Sequence, residues 1–110
     1  MKKITAFCPC DNNNLKYFKM LETSLRKFHP EEALPLLRFD NPNPQDKDFW
    51  YRAKPILASK LLEEYETVIG LDADQIILGS LDDLLLDKEE YDVGVVLNDP
   101  NYPIRVWDIT

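Results

Sequence analysis

Histidine and cysteine are scarce: one and two residues among 110. Tetrahedral zinc takes four ligands, and Cys8 and Cys10 offer only two soft ones. A disulfide across the single residue Pro9 would be strained. The Cys-Pro-Cys run therefore reads as two small buried or half-buried side chains at a strand end. Long apolar runs are also missing. No stretch approaches the roughly 20 residues that cross a bilayer, and Met1-Lys2-Lys3 leads into a strand-like run in place of a signal sequence. The expectation is a soluble, cytoplasmic chain without a membrane span. Positive charge is in deficit as well, with 13 Lys and Arg against 20 Asp and Glu and a net charge of −7. Such a field disfavours nucleic acid and anionic membrane surfaces as partners. There are no internal repeats.

What is present is a core. Apolar residues make up 45% of the chain, enough to exclude general disorder, and the length suits one domain. Residues 3–9 read as a first strand ended by Pro9. Asp11-Asn12-Asn13-Asn14 is turn chemistry, with one of the asparagines expected as a helix N-cap. A helix is expected over 15–28, with Phe18, Leu21, Leu25 and Phe28 on its buried face and Pro30 closing it. Residues 34–39 form a second strand. The polar, proline-rich segment 40–47 is a loop, packed down by residues 49–51. A second helix is expected over 52–65, with Ala53, Ile56, Leu57, Leu61 and Tyr65 inward and Pro55 in its first turn, where no N–H is needed.

The run Thr67-Val68-Ile69-Gly70-Leu71 is too continuously apolar for an exposed edge and predicts a buried third strand. Residues 76–78 read as a short strand, and Ser80 as the N-cap of a helix through Leu84-Leu85-Leu86. Further strands are expected over 92–97 and 104–109, with a turn over 98–103. This alternation predicts an α/β fold with a mainly parallel sheet flanked by helices. Ligands of such sheets bind beyond the carboxyl ends of the strands, where Asp11 and Asp72 both fall.

Asp72-Ala73-Asp74 follows the third strand directly. Two carboxylates at i and i+2 beside a buried strand repel one another and are costly to desolvate. A hard divalent cation removes the repulsion and keeps further positions for phosphate oxygens. The alternative is a turn carrying two solvated acids. An acidic chain holds a diphosphate only through a metal bridge, a local basic side chain or a helix N-terminus. Arg52 and Lys54 form one local basic pair; Lys16, Lys19, Arg26 and Lys27 form another cluster, more simply read as a solvated helix face. His29 is expected as a helix-end cation or surface residue, Asp82-Asp83 as helix-capping charge, and Trp50 and Trp107 as core or loop anchors.

The segment from Lys54-Pro55-Ile56-Leu57 through Tyr65-Glu66, the apolar strand, Asp72-Ala73-Asp74, Ile76-Ile77-Leu78 and Leu81-Asp82-Asp83-Leu84 resembles the centre of GT-A glycosyltransferases of the glycogenin-like and galactinol-synthase-like group. Cys8 to Leu15 and Ser24-Leu25-Arg26 resemble that group's nucleotide-binding first loop and helix, and Tyr91 to Asp99 its next strand. The resemblance implies a Rossmann-like sheet of GT-A type. It also implies a nucleotide-diphosphate sugar donor, UDP-sugar foremost, and Mn²⁺ or Mg²⁺. Asp72 and Asp74 would hold the metal. Asp11, Arg52, Lys54, Asp72 and Asp74 would contact the donor, whose hexosyl group passes to an acceptor the motifs do not specify. GT-A domains continue well past 110 residues, and the only histidine, His29, does not match the further metal ligand of that group. Residues 1–110 are therefore expected to be the donor-binding part of one domain truncated at its C-terminus. The edges and apolar surface of such a sheet favour homo-oligomerisation.

Two other functions compete. Haloacid-dehalogenase-like phosphohydrolases also place Asp-X-Asp after a buried strand, with one Asp as nucleophile and one as acid/base. That motif tends to follow the first strand, with Thr or Val two residues after the second Asp. Here two strands precede it and Gln75-Ile76 follow it. The third reading is a non-catalytic nucleotide-binding or interaction domain.

Overall fold

The computed structural model describes residues 4–82. The elements are β1 (Ile4–Pro9), a 3₁₀ turn (Asn12–Asn14), α1 (Leu15–Arg26), β2 (Leu36–Phe39), α2 (Phe49–Leu61) and β3 (Thr67–Gly70). Their order gives a three-stranded parallel sheet, β2-β1-β3, with two helices. This is the expected α/β arrangement, compatible with a Rossmann-like core. The strands expected over 92–97 and 104–109 lie outside the described residues, as do the turn between them, Trp107, Asp83 and the helix beyond Asp82. No helix among the described residues is long and apolar enough to cross a membrane.

Side-chain alternation along β1 explains the layering. Ala6 and Cys8, with Cys10 just beyond the strand, join Phe18, Leu21 and Leu25 of α1 in one core, with Leu34, Leu71 and Ile77 at its margins. Full burial of a leucine such as Leu21 stabilises by about 1.5–3 kcal/mol. Phe7 points to the opposite face, toward α2. The register sets Phe7 beside Gly70. A Cβ at Gly70 would lie 3.2 Å from the Phe7 ring and 3.6 Å from Lys54 Cδ, so glycine there lets ring and lysine stem pack close to the strand.

Several expected boundaries move, each for a visible reason. Helix α1 ends at Arg26, where the Lys27 and Phe28 N–H groups tighten to the Ser24 and Leu25 carbonyls ahead of Pro30, and the Arg26 guanidinium donates to the carbonyls of His29 and Leu34 just beyond (3.1 and 2.8 Å). Phe28 consequently falls outside the helix and is exposed. Asn14 holds the N-cap position of α1, as expected of one of the asparagines, but its side chain makes no capping bond there. Asp11 caps the preceding 3₁₀ turn, its Oδ1 accepting from the Asn14 backbone and side chain at 2.9 and 2.8 Å. Strand β2 starts at Leu36, since the Leu34 N–H is held by the Pro30 carbonyl of the preceding turn and Pro35 has no N–H to give.

Helix α2 begins at Phe49, earlier than the pattern predicted, which puts Pro55 in the helix interior. A chain of asparagine and aspartate turns over 41–48 feeds it: the Asn43, Gln45 and Asp48 N–H groups donate to the side chains of Asn41, Asn43 and Asp46. Pro55 is exposed, so the Tyr51 carbonyl that loses its partner is open to water. Only Ala53 of the expected inward face is buried, while Ile56 is exposed, because the small Ala53 side chain lets α2 approach the sheet along a narrow line. Strand β3 is half-buried over Thr67–Gly70 and, among the described residues, pairs only with β1, so it is not the buried strand expected over 67–71.

Residues 76–78 form no strand. They run as a strap over the C-terminal half of α1, with Ile77 buried and Ile76 and Leu78 exposed. Two side chains hold the strap by its backbone. Ser24 Oγ accepts the Ile77 N–H at 2.9 Å, and His29 Nε2 accepts the Leu81 N–H at 2.8 Å. His29 is therefore a buried acceptor, not the surface or helix-end cation expected of it. Ser80 Oγ accepts from the Asp82 N–H at 3.1 Å, and the helix it is expected to cap lies outside the described residues.

Candidate functional site

In a parallel sheet ordered β2-β1-β3 the chain leaves β1 toward one side and later returns on the other. The carboxyl ends of β1 and β3 then diverge and leave a crevice at the point where strand order reverses. An open cleft of about 500 Å³ lies there. Its walls are Pro9, Cys10, Asp11 and Asn14 after β1, Asp72, Ala73 and Asp74 after β3, and the rings of Tyr17 and Trp50. That volume falls within the range usual for small-molecule sites, about 300–1,000 Å³.

Local hydrogen bonding fixes both rims. On the β1 side, Arg38 donates to the Cys10 carbonyl and to Asn12 Oδ1 (2.9 and 3.1 Å), holding the loop that Asp11 caps. On the β3 side, the Leu71 N–H donates to the Phe7 carbonyl at 2.9 Å, carrying the ladder one residue past the strand. The chain then turns. The Gln75 N–H donates to the Asp72 carbonyl at 3.0 Å, and Gln75 Oε1 accepts the Asp72 N–H at 2.7 Å. Ala73 packs against the core while Asp72 and Asp74 stay exposed on either side of it. The two acids thus belong to a clamped turn, not to a continuing strand.

The other predicted residues divide. Lys54 reaches from α2 across the face of β3, and its Nζ pairs with Asp72 Oδ1. Arg52 does not join them: it pairs with Asp46 of the preceding loop. Asp11 lies on the cleft wall with one carboxylate oxygen committed to its cap. Tyr17, Trp50 and Asn14 line the cleft although the pattern did not single them out as site residues. Trp50, expected as an anchor, is 39% exposed and meets Phe49 edge-to-face at 4.9 Å. The one signal that could have found it is its position at the start of the helix facing the switch point.

Cys8 reports the local electrostatics. Its thiol is pushed from 9.0 up to about 12, first by burial, then by the negative field of Cys10, Asp72 and Asp74, with Lys54 opposing. Cys10 is raised by burial too, while Arg38 pulls it down. Both cysteines are free and buried, as expected of small residues at the strand end, and neither is an activated nucleophile.

Among the described residues no group of three or more His, Cys, Asp or Glu side chains is placed to hold a metal ion. A cation site built from the described residues therefore has two carboxylates at most. That donor set suits a hard ion that keeps most of its shell for water and ligand oxygens, and it does not suit zinc. Comparison with family models, curated proteins and solved structures finds no match for this chain.

Proposed function

We propose that the chain is the donor-binding part of a GT-A-like glycosyltransferase, taking a nucleotide-diphosphate sugar, UDP-sugar foremost, with Mn²⁺ or Mg²⁺ on Asp72 and Asp74. The observation that carries this proposal is the meeting of the Asp11 loop and the Asp72–Gln75 turn across one aromatic-lined cleft at the switch point. A phosphate ester alone would be repelled there. Asp11, Asp72 and Asp74 supply three negative charges, and the adjacent Lys54 is engaged with one of them. A bound divalent cation would offset the charge of the diphosphate and the charge developing on it as it leaves.

In this role Asp72 and Asp74 bind and orient, and Lys54 supplies a second positive charge beside the diphosphate. Trp50 and Tyr17 offer flat apolar surfaces to the base or sugar. The experiment is calorimetric titration of UDP into wild type and Asp74→Ala, with and without Mn²⁺. Binding is expected only with Mn²⁺ and only in wild type. Equal binding by the two proteins, or none in wild type with Mn²⁺ present, refutes the proposal.

A further inference from the structure

Lys54 forms an ion pair with Asp72 of the cleft wall, and among the described residues neither group has another charged partner. The lysine stem lies along β3 beside Gly70 and Phe7, which aims the ammonium at the first acid of the turn. Its side chain is 40% exposed and that of Asp72 57%, so both groups can exchange partners without an unfolding step. In the bare protein the ammonium satisfies a carboxylate that a cation would also need. Two positive charges cannot share that oxygen, since neither would gain its full attraction and they would repel one another.

We infer that Lys54 is a tethered counter-ion that couples cation binding to diphosphate binding. Without nucleotide, Lys54 competes with the metal for Asp72, and the site binds metal weakly. When the metal arrives with a diphosphate, the displaced ammonium finds a new anionic partner in a phosphate oxygen. The competition then becomes support. The site is poised to accept metal and diphosphate together and to bind either alone poorly. This inference rests on the donor-binding proposal above, and it adds a property of Lys54 that simple attraction to phosphate does not contain.

The two roles have opposite signs in one variant. Lys54→Met should bind Mn²⁺ alone more tightly than wild type, by roughly two- to fivefold, the size of a half-exposed ion pair no longer in competition. The same variant should bind UDP with Mn²⁺ about tenfold more weakly, from the lost charge-assisted hydrogen bond. Both constants come from calorimetry with Mn²⁺ alone and with UDP at saturating Mn²⁺. Lys54→Gln, with a shorter polar side chain, should change both constants in the same directions, and circular dichroism establishes that each variant folds.

If removing the ammonium leaves Mn²⁺ binding unchanged or weaker while UDP still binds through Asp74, the counter-ion role is overturned and the donor site stands. If wild type binds no UDP with Mn²⁺, both fall. If the variant weakens Mn²⁺ and UDP binding equally, Lys54 is only a structural brace, and the inference is wrong.

Discussion

Ser24→Ala isolates the strap that follows the Asp72–Gln75 turn. Ser24 is buried, its Oγ accepts the Ile77 N–H at 2.9 Å, and Ile77 is itself only 8% exposed. Alanine leaves that backbone donor without a partner and without access to water. An orphaned buried donor costs about 1–3 kcal/mol. The other bond of the serine, to the Leu21 carbonyl at 2.8 Å, is a smaller loss because a helix carbonyl keeps its ladder partner. For a domain of this size each kcal/mol moves Tm by about 4–8 °C. The expected fall is therefore on the order of 5–20 °C, measured by thermal unfolding followed by circular dichroism. Thr23→Ala is the matched control. Its hydroxyl makes the same kind of bond, to the Lys19 carbonyl at 2.8 Å, but it is exposed and has no partner in the strap. That change should stay within about 0.5 kcal/mol of wild type. If Ser24→Ala matches Thr23→Ala, the strap is not held as described and the reasoning is refuted. Because the strap begins where the turn ends, Ser24→Ala should also weaken Mn²⁺-dependent UDP binding, whereas Thr23→Ala should not.

The Cys8 thiol, raised to about 12 in the folded state from 9.0, favours folding as the neutral form. That contribution is complete below pH 9 and is lost as pH rises from 9 toward 12, so Cys8→Ala should show a shallower alkaline fall in urea stability than wild type; parallel curves would contradict it. In folded protein at pH 8 iodoacetamide should leave Cys8 unmodified, and mass spectrometry after brief exposure checks this. Trp50 is half-exposed on the cleft wall, so UDP with Mn²⁺ should change its fluorescence, and Trp50→Ala should weaken UDP binding while leaving Mn²⁺ binding alone unchanged. An unaltered emission spectrum at saturating UDP would remove Trp50 from the site.

Periodicity was a good guide where one face of an element meets one layer. Phe18, Leu21 and Leu25 recur at helical spacing because α1 lies flat on the sheet, and all three are buried. It failed for α2, where burial narrows to Ala53 and helix propensity does not reveal how close the helix sits. Pro55 was a misleading boundary mark. Proline suits a first turn, yet an exposed position tolerates it in the interior, and the start was set instead by the side-chain turns of Asn41, Asn43 and Asp46. For the site, the strand order and the two acids after β3 were legible, because a buried strand followed by paired carboxylates is a local pattern. The partners were not. That Lys54 meets Asp72 while Arg52 meets Asp46 depends on the rotation of α2 over β3, which two basic residues at i and i+2 do not encode. Sequence alone points His29 to a helix-end cation or a surface position, because a lone histidine near a helix end usually is one. Its acceptor role exists only because a strap 52 residues later passes over it.

The most direct test of the central claim is paramagnetic broadening by Mn²⁺ in amide-resolved NMR spectra of the UDP-saturated protein. Substoichiometric Mn²⁺ should broaden the amides of Asp72 to Gln75 and of Cys10 to Asn14 first, and Asp74→Ala should abolish the effect. Broadening centred instead on other surface acids such as Glu63 and Glu64, or unchanged in Asp74→Ala, would contradict it.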